Sequence, residues 1–243
     1  MSTAGNGNNT KYLQDNANLG TFNGACSVCF WVCPSGNTFG PGTDGFVTVL
    51  DLGVNGGGGN FDWQFYFDIS PNNLTLHYTN YTSGTPTVDQ VVGTLSATVM
   101  SFVALTHDPA AAGGTTKLYL GTGPGSALSL VATLTGDVWT GTMGNLTLFN
   151  WFGDTEPLNG EMTGWRQWSV VLTQTELENE YSSIKPKSRI SNLVRFYPWL
   201  NEPQDNIDQS GSGFNMTKTG TLATARRMPS VPWGSPPVAM GYG

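Results

Sequence analysis

From Asn60 to Ile69 the chain reads NFDWQFYFDI, which places Phe61, Trp63, Phe65, Phe67 and Ile69 on one face and Asp62, Gln64, Tyr66 and Asp68 on the other. A period of two marks a strand with one buried side. After the turn residues Pro71-Asn72-Asn73 the pattern resumes in NLTLHYTNY, so a hairpin is predicted. TVMSFVALTHD, KLYLGTG, SLVATLTG and NLTLFNWF follow, with Gly, Pro or Asn between them. Many short strands separated by turn residues predict an all-β antiparallel sandwich. One helix interrupts the series. Thr173 and Glu176 in TQTE form a capping box, and Leu177, Tyr181 and Ile184 make a narrow apolar stripe that stops before Pro186. The strand-like LVRFYPWL comes next, then the polar loop DNIDQSGSG. The terminal PSVPWGSPPVAMGYG, with four Pro and three Gly, holds no regular element and reads as an extended arm.

All three cysteines lie in ACSVCFWVCP, spaced C-x-x-C-x-x-x-C. On a helix Cys29 and Cys33 share a face and can bind one metal. In a strand, residues four apart are separated by about 13 Å, beyond the roughly 7 Å limit for a disulfide. Val28, Phe30, Trp31 and Val32 favour a strand bounded by Gly24 and Pro34. The cysteines therefore read as small buried hydrophobes.

Composition narrows the classes. Only 11% of the 243 residues are charged while 12% are aromatic, which describes a folded, turn-rich chain rather than a disordered one. A net charge of −7 argues against nucleic acid or an anionic membrane as the main partner. MSTAGNGNNTKYL is polar and shows no signal peptide, and no apolar run approaches the ~20 residues of a membrane span. Synthesis in a cytoplasm is expected.

Three segments, in order, resemble the laminin G-like branch of the concanavalin A-like lectin/glucanase superfamily. CSVCFWVCP is similar to the family's S-F-W-V-x-P strand, SFVALTHDPAAAGGTTKLYLGTG to its H-V-A-L-T-Y-D…L-Y-V-D-G hairpin, and GEMTGWRQWSVVLTQTELENEY to its V-R-I-W strand and following helix. The resemblance covers about Phe22–Tyr181 and implies a two-sheet jelly roll. It puts Cys26 at a core position and Cys29 and Cys33 at positions the family gives to polar residues on the opposite face. Thr163 stands where the family has an aspartate, and Gly121-Thr122 replaces its Asp-Gly turn, losses that count against a bound calcium without deciding it; no cofactor is expected. LVRFYPWLNEPQDNIDQSGSGF resembles an element that opens the family's domain but comes late here. It is therefore expected to close the sheet as a late strand over Leu193–Leu200, which a sandwich with neighbouring chain ends tolerates. The resulting division is an N-terminal arm (1–10), a jelly roll (11–225) and a C-terminal arm (226–243).

Glucanases of this superfamily carry E-x-D-x-E on one strand. Glu176, Glu178 and Glu180 are the nearest match, but they sit on the predicted helix, where residues two apart do not share a face. Asp62 and Asp68 lie about 20 Å apart along a strand, too far for a glycosidase pair. Neither His77 nor His107 accompanies a nucleophile motif, and no enzyme is expected. For sugar binding the candidates are Tyr78 and Tyr81 in HYTNYT and Trp151 in FNWFGD, aromatics flanked by Asn, Asp or Gly. Low charge, Gly/Thr/Asn richness and the apolar arm resemble tailed-bacteriophage virion proteins. That resemblance implies a structural protein on the virion surface, a capsid decoration or tail-fibre component. Its partners would be copies of itself or other virion proteins, contacted through Trp233, Met240 and Tyr242. Recognition of host surface glycans is the alternative.

Overall fold

The run CSVCFWVCP forms a strand, β3 (Cys26–Pro34), and every one of its residues is buried. Alternation assigns its two faces to two cores. Cys26, Val28, Phe30 and Val32 enter the core between the sheets, whereas Cys29, Trp31 and Cys33 enter a second core on the other face. A strand covered on both sides loses polar alternation and becomes a continuous apolar run. The computed structural model describes residues 3–6, 12–15, 24–34, 46–53, 63–68, 74–82, 85–123, 126–139, 145–148, 159–198, 206–219 and 223–224.

The remaining strands are β1 (Thr3–Asn6), β2 (Tyr12–Asp15), β4 (Phe46–Gly53), β5 (Trp63–Asp68), β6 (Thr75–Thr82), β7 (Thr85–Thr94), β8 (Ser101–Asp108), β9 (Thr115–Gly121), β10 (Ser129–Thr135), β11 (Asn145–Leu148), β12 (Asn159–Trp168), β13 (Leu193–Tyr197), β14 (Met216–Thr219) and β15 (Ala223–Thr224). They form two antiparallel sheets. One runs β10-β9-β8-β3-β12-β1-β15, with β13 also on β12; the other runs β14-β2-β11-β4-β5-β6-β7. This is a two-sheet jelly-roll sandwich. Phe30 stacks on Trp165 at 5.6 Å and meets Phe65 of the facing sheet edge-on at 5.6 Å, which places aromatic contacts at the centre of the inter-sheet core. Burying each such side chain contributes about 1.5–3 kcal/mol.

The second core lies under the helix α1 (Gln174–Tyr181). Thr173 caps it: its side chain accepts from the Glu176 N–H, and the Glu176 carboxylate accepts from the Thr173 N–H. Leu177, Tyr181 and Ile184 pack with Trp31, Phe102 and Trp168, and Tyr181 stacks on Trp31 at 5.2 Å. The face that the resemblance gave to polar residues is thus apolar here, because a helix lies on it. The cysteines are free and buried. Burial also pushes the Cys29 thiol up to about 12, against the opposing pull of Arg166.

Two buried ion pairs tie elements together. Arg166 of β12 donates to the Glu180 carboxylate at 2.6 Å and to the Glu180 and Ser183 carbonyls, while the other Glu180 oxygen accepts the Lys187 and Ser188 N–H groups. Arg195 of β13 lies 2.7 Å from Asp15 of β2, which links the two sheets. The late strand expected over Leu193–Leu200 is found as β13, paired with Trp165–Trp168 of β12. Asp208 shapes the loop after it, accepting the N–H groups of Phe196, Ser210 and Phe214. The N-terminal arm is not wholly an arm. Thr3–Asn6 pairs with the first half of β12, end to end with β13 on the same edge. The early strands lie beside late ones, β1 beside β15 in one sheet and β2 beside β14 in the other.

Candidate functional site

The outer face of the seven-stranded sheet, away from the inter-sheet core, carries the polar half of the alternation in β5 and β6. In register, Thr217, Gln14, Thr147, Asp51, Gln64, Thr79 and Asp89 form one row across all seven strands. The next such row brings Tyr66, His77 and Val91 side by side on β5, β6 and β7. Toward the middle of the sheet Gln64, Thr79 and Thr147 are buried; toward β7, Val91 and Asp89 are about half exposed. The reachable part of this face is therefore its β6–β7 edge.

A compact cluster sits at that edge. Tyr66 stacks on His77 with ring centres 5.0 Å apart and planes 22° apart. The Tyr66 hydroxyl donates to Asp89 Oδ1 at 2.9 Å, and His77 Nδ1 lies 3.1 Å from the same oxygen. A carboxylate only accepts, so Nδ1 is the protonated nitrogen and donates. Among the described residues Asp89 Oδ2 and His77 Nε2 take part in no hydrogen bond. Tyr66 is buried and the His77 side chain is 15% exposed, so the cluster presents the Asp89 carboxylate and part of the His77 ring to solvent, polar groups of the kind that orient a polyhydroxylated ligand.

Of the residues singled out from the sequence, Tyr81 lies on this outer face, half-buried, two positions beyond Thr79. Tyr78 does not reach solvent. It belongs to the core, donates to Asp137 Oδ2 at 3.0 Å, and burial raises its hydroxyl pKa well above the ordinary tyrosine value. Three residues apart on one strand, Tyr78 and Tyr81 must face opposite ways. Trp151, Trp233, Met240 and Tyr242 lie outside the described residues. The sequence reading did not single out Tyr66, His77 or Asp89 for sugar binding. The alternation in NFDWQFYFDI already sent Tyr66 to the polar face, but only strand pairing reveals that His77 and Asp89 lie beside it.

At the end of the sandwich a second polar cluster is closed to solvent. Asp137 accepts from Tyr78, Asn80 and Trp139, and Trp139 is held between Trp63 and His107, the latter at 3.9 Å and nearly parallel. His107 Nδ1 meets the Thr116 hydroxyl at 2.9 Å. Burial pushes His107 down to about 4, with Asp137 and Asp108 opposing the shift. This cluster packs β10's exit against both sheets.

The helix carboxylates have structural partners: Glu176 pairs with Arg189 at 2.5 Å and Glu180 with Arg166. Thr163, at the family's aspartate position, donates to the Pro198 carbonyl. No group of three His, Cys, Asp or Glu that could hold a metal ion occurs among the described residues. Nor is any described helix long and apolar enough to cross a membrane.

No family model and no curated protein matches this chain. Solved structures do. A Bacteroides ovatus protein assigned to carbohydrate binding superposes with a TM-score of 0.57 at 16% identity, over 95% of this chain and 62% of its own length. The receptor-binding domain of botulinum neurotoxin D gives 0.51 at 12% identity, over 70% and 41%. The sialyllactose-bound CBM40 domain of a Ruminococcus gnavus sialidase gives 0.47 at 17%, over 65% and 82%. At these identities the likeness is one of fold. The shared fold is a two-sheet jelly roll. The chain spans less than two thirds of the length of the first two proteins.

Proposed function

We propose that this chain is a non-catalytic carbohydrate-recognition module whose ligand site is the β6–β7 edge of the seven-stranded sheet. The Tyr66–His77–Asp89 cluster carries the reading. It sets a carboxylate that is about half exposed, 51% for the side chain, beside a partly exposed imidazole that stacks on buried Tyr66, on a fold shared with a protein assigned to carbohydrate binding. Catalysis is not part of the proposal, because Glu176 and Glu180, the helix carboxylates nearest to a glucanase pattern, are held in ion pairs. A glycan array of the whole chain tests it. Retention of a defined subset of glycans is expected, lost in His77→Ala and Asp89→Ala variants that melt as the parent does. Retention of none, or binding indifferent to both substitutions, overturns it.

A virion-surface role is a second proposal, supported by composition and by the resemblance of the sequence to tailed-phage proteins. It is compatible with glycan recognition. Co-purification with phage particles supports it, and its absence from particles of the encoding phage removes it.

A further inference from the structure

The free atoms of the β6–β7 cluster define the kind of sugar it takes, an inference that rests on the carbohydrate-recognition reading above. Asp89 Oδ1 is occupied twice, by the Tyr66 hydroxyl at 2.9 Å and by His77 Nδ1 at 3.1 Å. That arrangement fixes the imidazole tautomer, so Nε2 of the neutral ring is an acceptor. Asp89 Oδ2 is an acceptor as well. Neither is engaged among the described residues. The site therefore offers two acceptors held on one hydrogen-bonded pair and, with His77 neutral, no free side-chain donor from Asp89 or His77. Val91, in register with His77 and 49% exposed, supplies an apolar ledge beside them.

We infer that the site recognises neutral glycans through a pair of adjacent hydroxyls, and discriminates against sialylated and uronic-acid-containing ones. Two neighbouring sugar hydroxyls present two donors, which matches Oδ2 and Nε2, while the C–H face of the ring rests on Val91. A glycan carboxylate brings only acceptors and a like charge. Its hydrogen-bonding capacity is left unmet at this pair, and loss of matched polar contacts is a strong source of discrimination. The strands that form this part of the sheet, β4 to β7, contain Asp51, Asp68 and Asp89 and supply no Lys or Arg to offset the mismatch.

An array carrying matched neutral and acidic versions of the same oligosaccharides tests this, followed by calorimetry on the pairs retained. The neutral member of each pair is expected to bind at least tenfold more tightly. Mild periodate treatment, which cleaves vicinal diols, is expected to abolish binding of that member. Asp89→Asn keeps an oxygen for Tyr66 and His77 but turns Oδ2 into a donor; it should weaken neutral-glycan binding at least tenfold at an unchanged melting temperature. His77→Phe keeps a ring against Tyr66 and should weaken it likewise. Equal or tighter binding of the acidic members, or full affinity in Asp89→Asn, overturns the inference while leaving glycan recognition standing. Retention of no glycan at all removes the functional reading itself.

Discussion

Arg166 and Glu180 show how much a single buried contact can hold. Both side chains are wholly buried, and between them they fasten the end of α1 and the following turn to β12. Truncating one partner strands the other's charge in the core, so Glu180→Ala is expected to cost about 3–5 kcal/mol, read from the shift of a urea midpoint. His107 makes a pH-dependent contribution. Its ordinary value of 6.5 falls to about 4 in the fold, so between these values the unfolded chain binds more protons. Stability from this residue is complete above about pH 6.5 and declines as the pH drops toward 4. Unfolding midpoints at pH 7 and 4.5 should therefore differ more in the parent than in His107→Gln. The cysteines react according to burial: thiol reagents at pH 8 should leave the native chain untouched and titrate three thiols only after unfolding.

At the level of elements, α1 is short and depends on its ends. The Thr173–Glu176 box satisfies N–H groups that would otherwise lack partners, and Thr173→Ala is expected to cost about 1 kcal/mol, measured by chemical denaturation. The helix seats only because β9 ends in a glycine. A Cβ on Gly121 would lie 2.7 Å from the Tyr181 ring, which bonds through its hydroxyl to the Gly123 carbonyl. The helix, the β5–β6 hairpin and the late strand β13 were all legible in the sequence, because caps, turn residues and alternation act over a few neighbouring residues. The strand β7 was not. Pro86 and the bulges against β6 break its period, and its identity as a strand comes from pairing with β6.

Over the described residues as a whole, early and late strands meet in both sheets. β13 and the Asp208 loop bring Arg195 to Asp15, and β14 and β15 edge the N-terminal strands. A chain ending at residue 192 loses these partners, the Arg195 guanidinium beside buried Asp15 among them. It is expected to be unfolded by circular dichroism. Removal of residues 226–243, the segment with no strand or helix signal, is expected to leave the melting temperature nearly unchanged. A large drop in that variant would show the segment to be part of the fold.

The sequence by itself determined the all-β class, the strand conformation of the cysteine segment, the capped helix and the split of β5 into apolar and polar faces. Each follows from local sterics or from a period of two. Only the tertiary structure decided what covers each face. Cys29 is as buried as Cys26 because a helix from far along the chain lies on that face, and Cys33 is buried there beside the Ser96 carbonyl of the segment before β8. Tyr78 is core while Tyr66 joins His77 and Asp89, because antiparallel pairing brings Tyr66 beside His77 and Asp89 into the next row. That juxtaposition joins residues from three strands, and only the register of the folded sheet makes them a site.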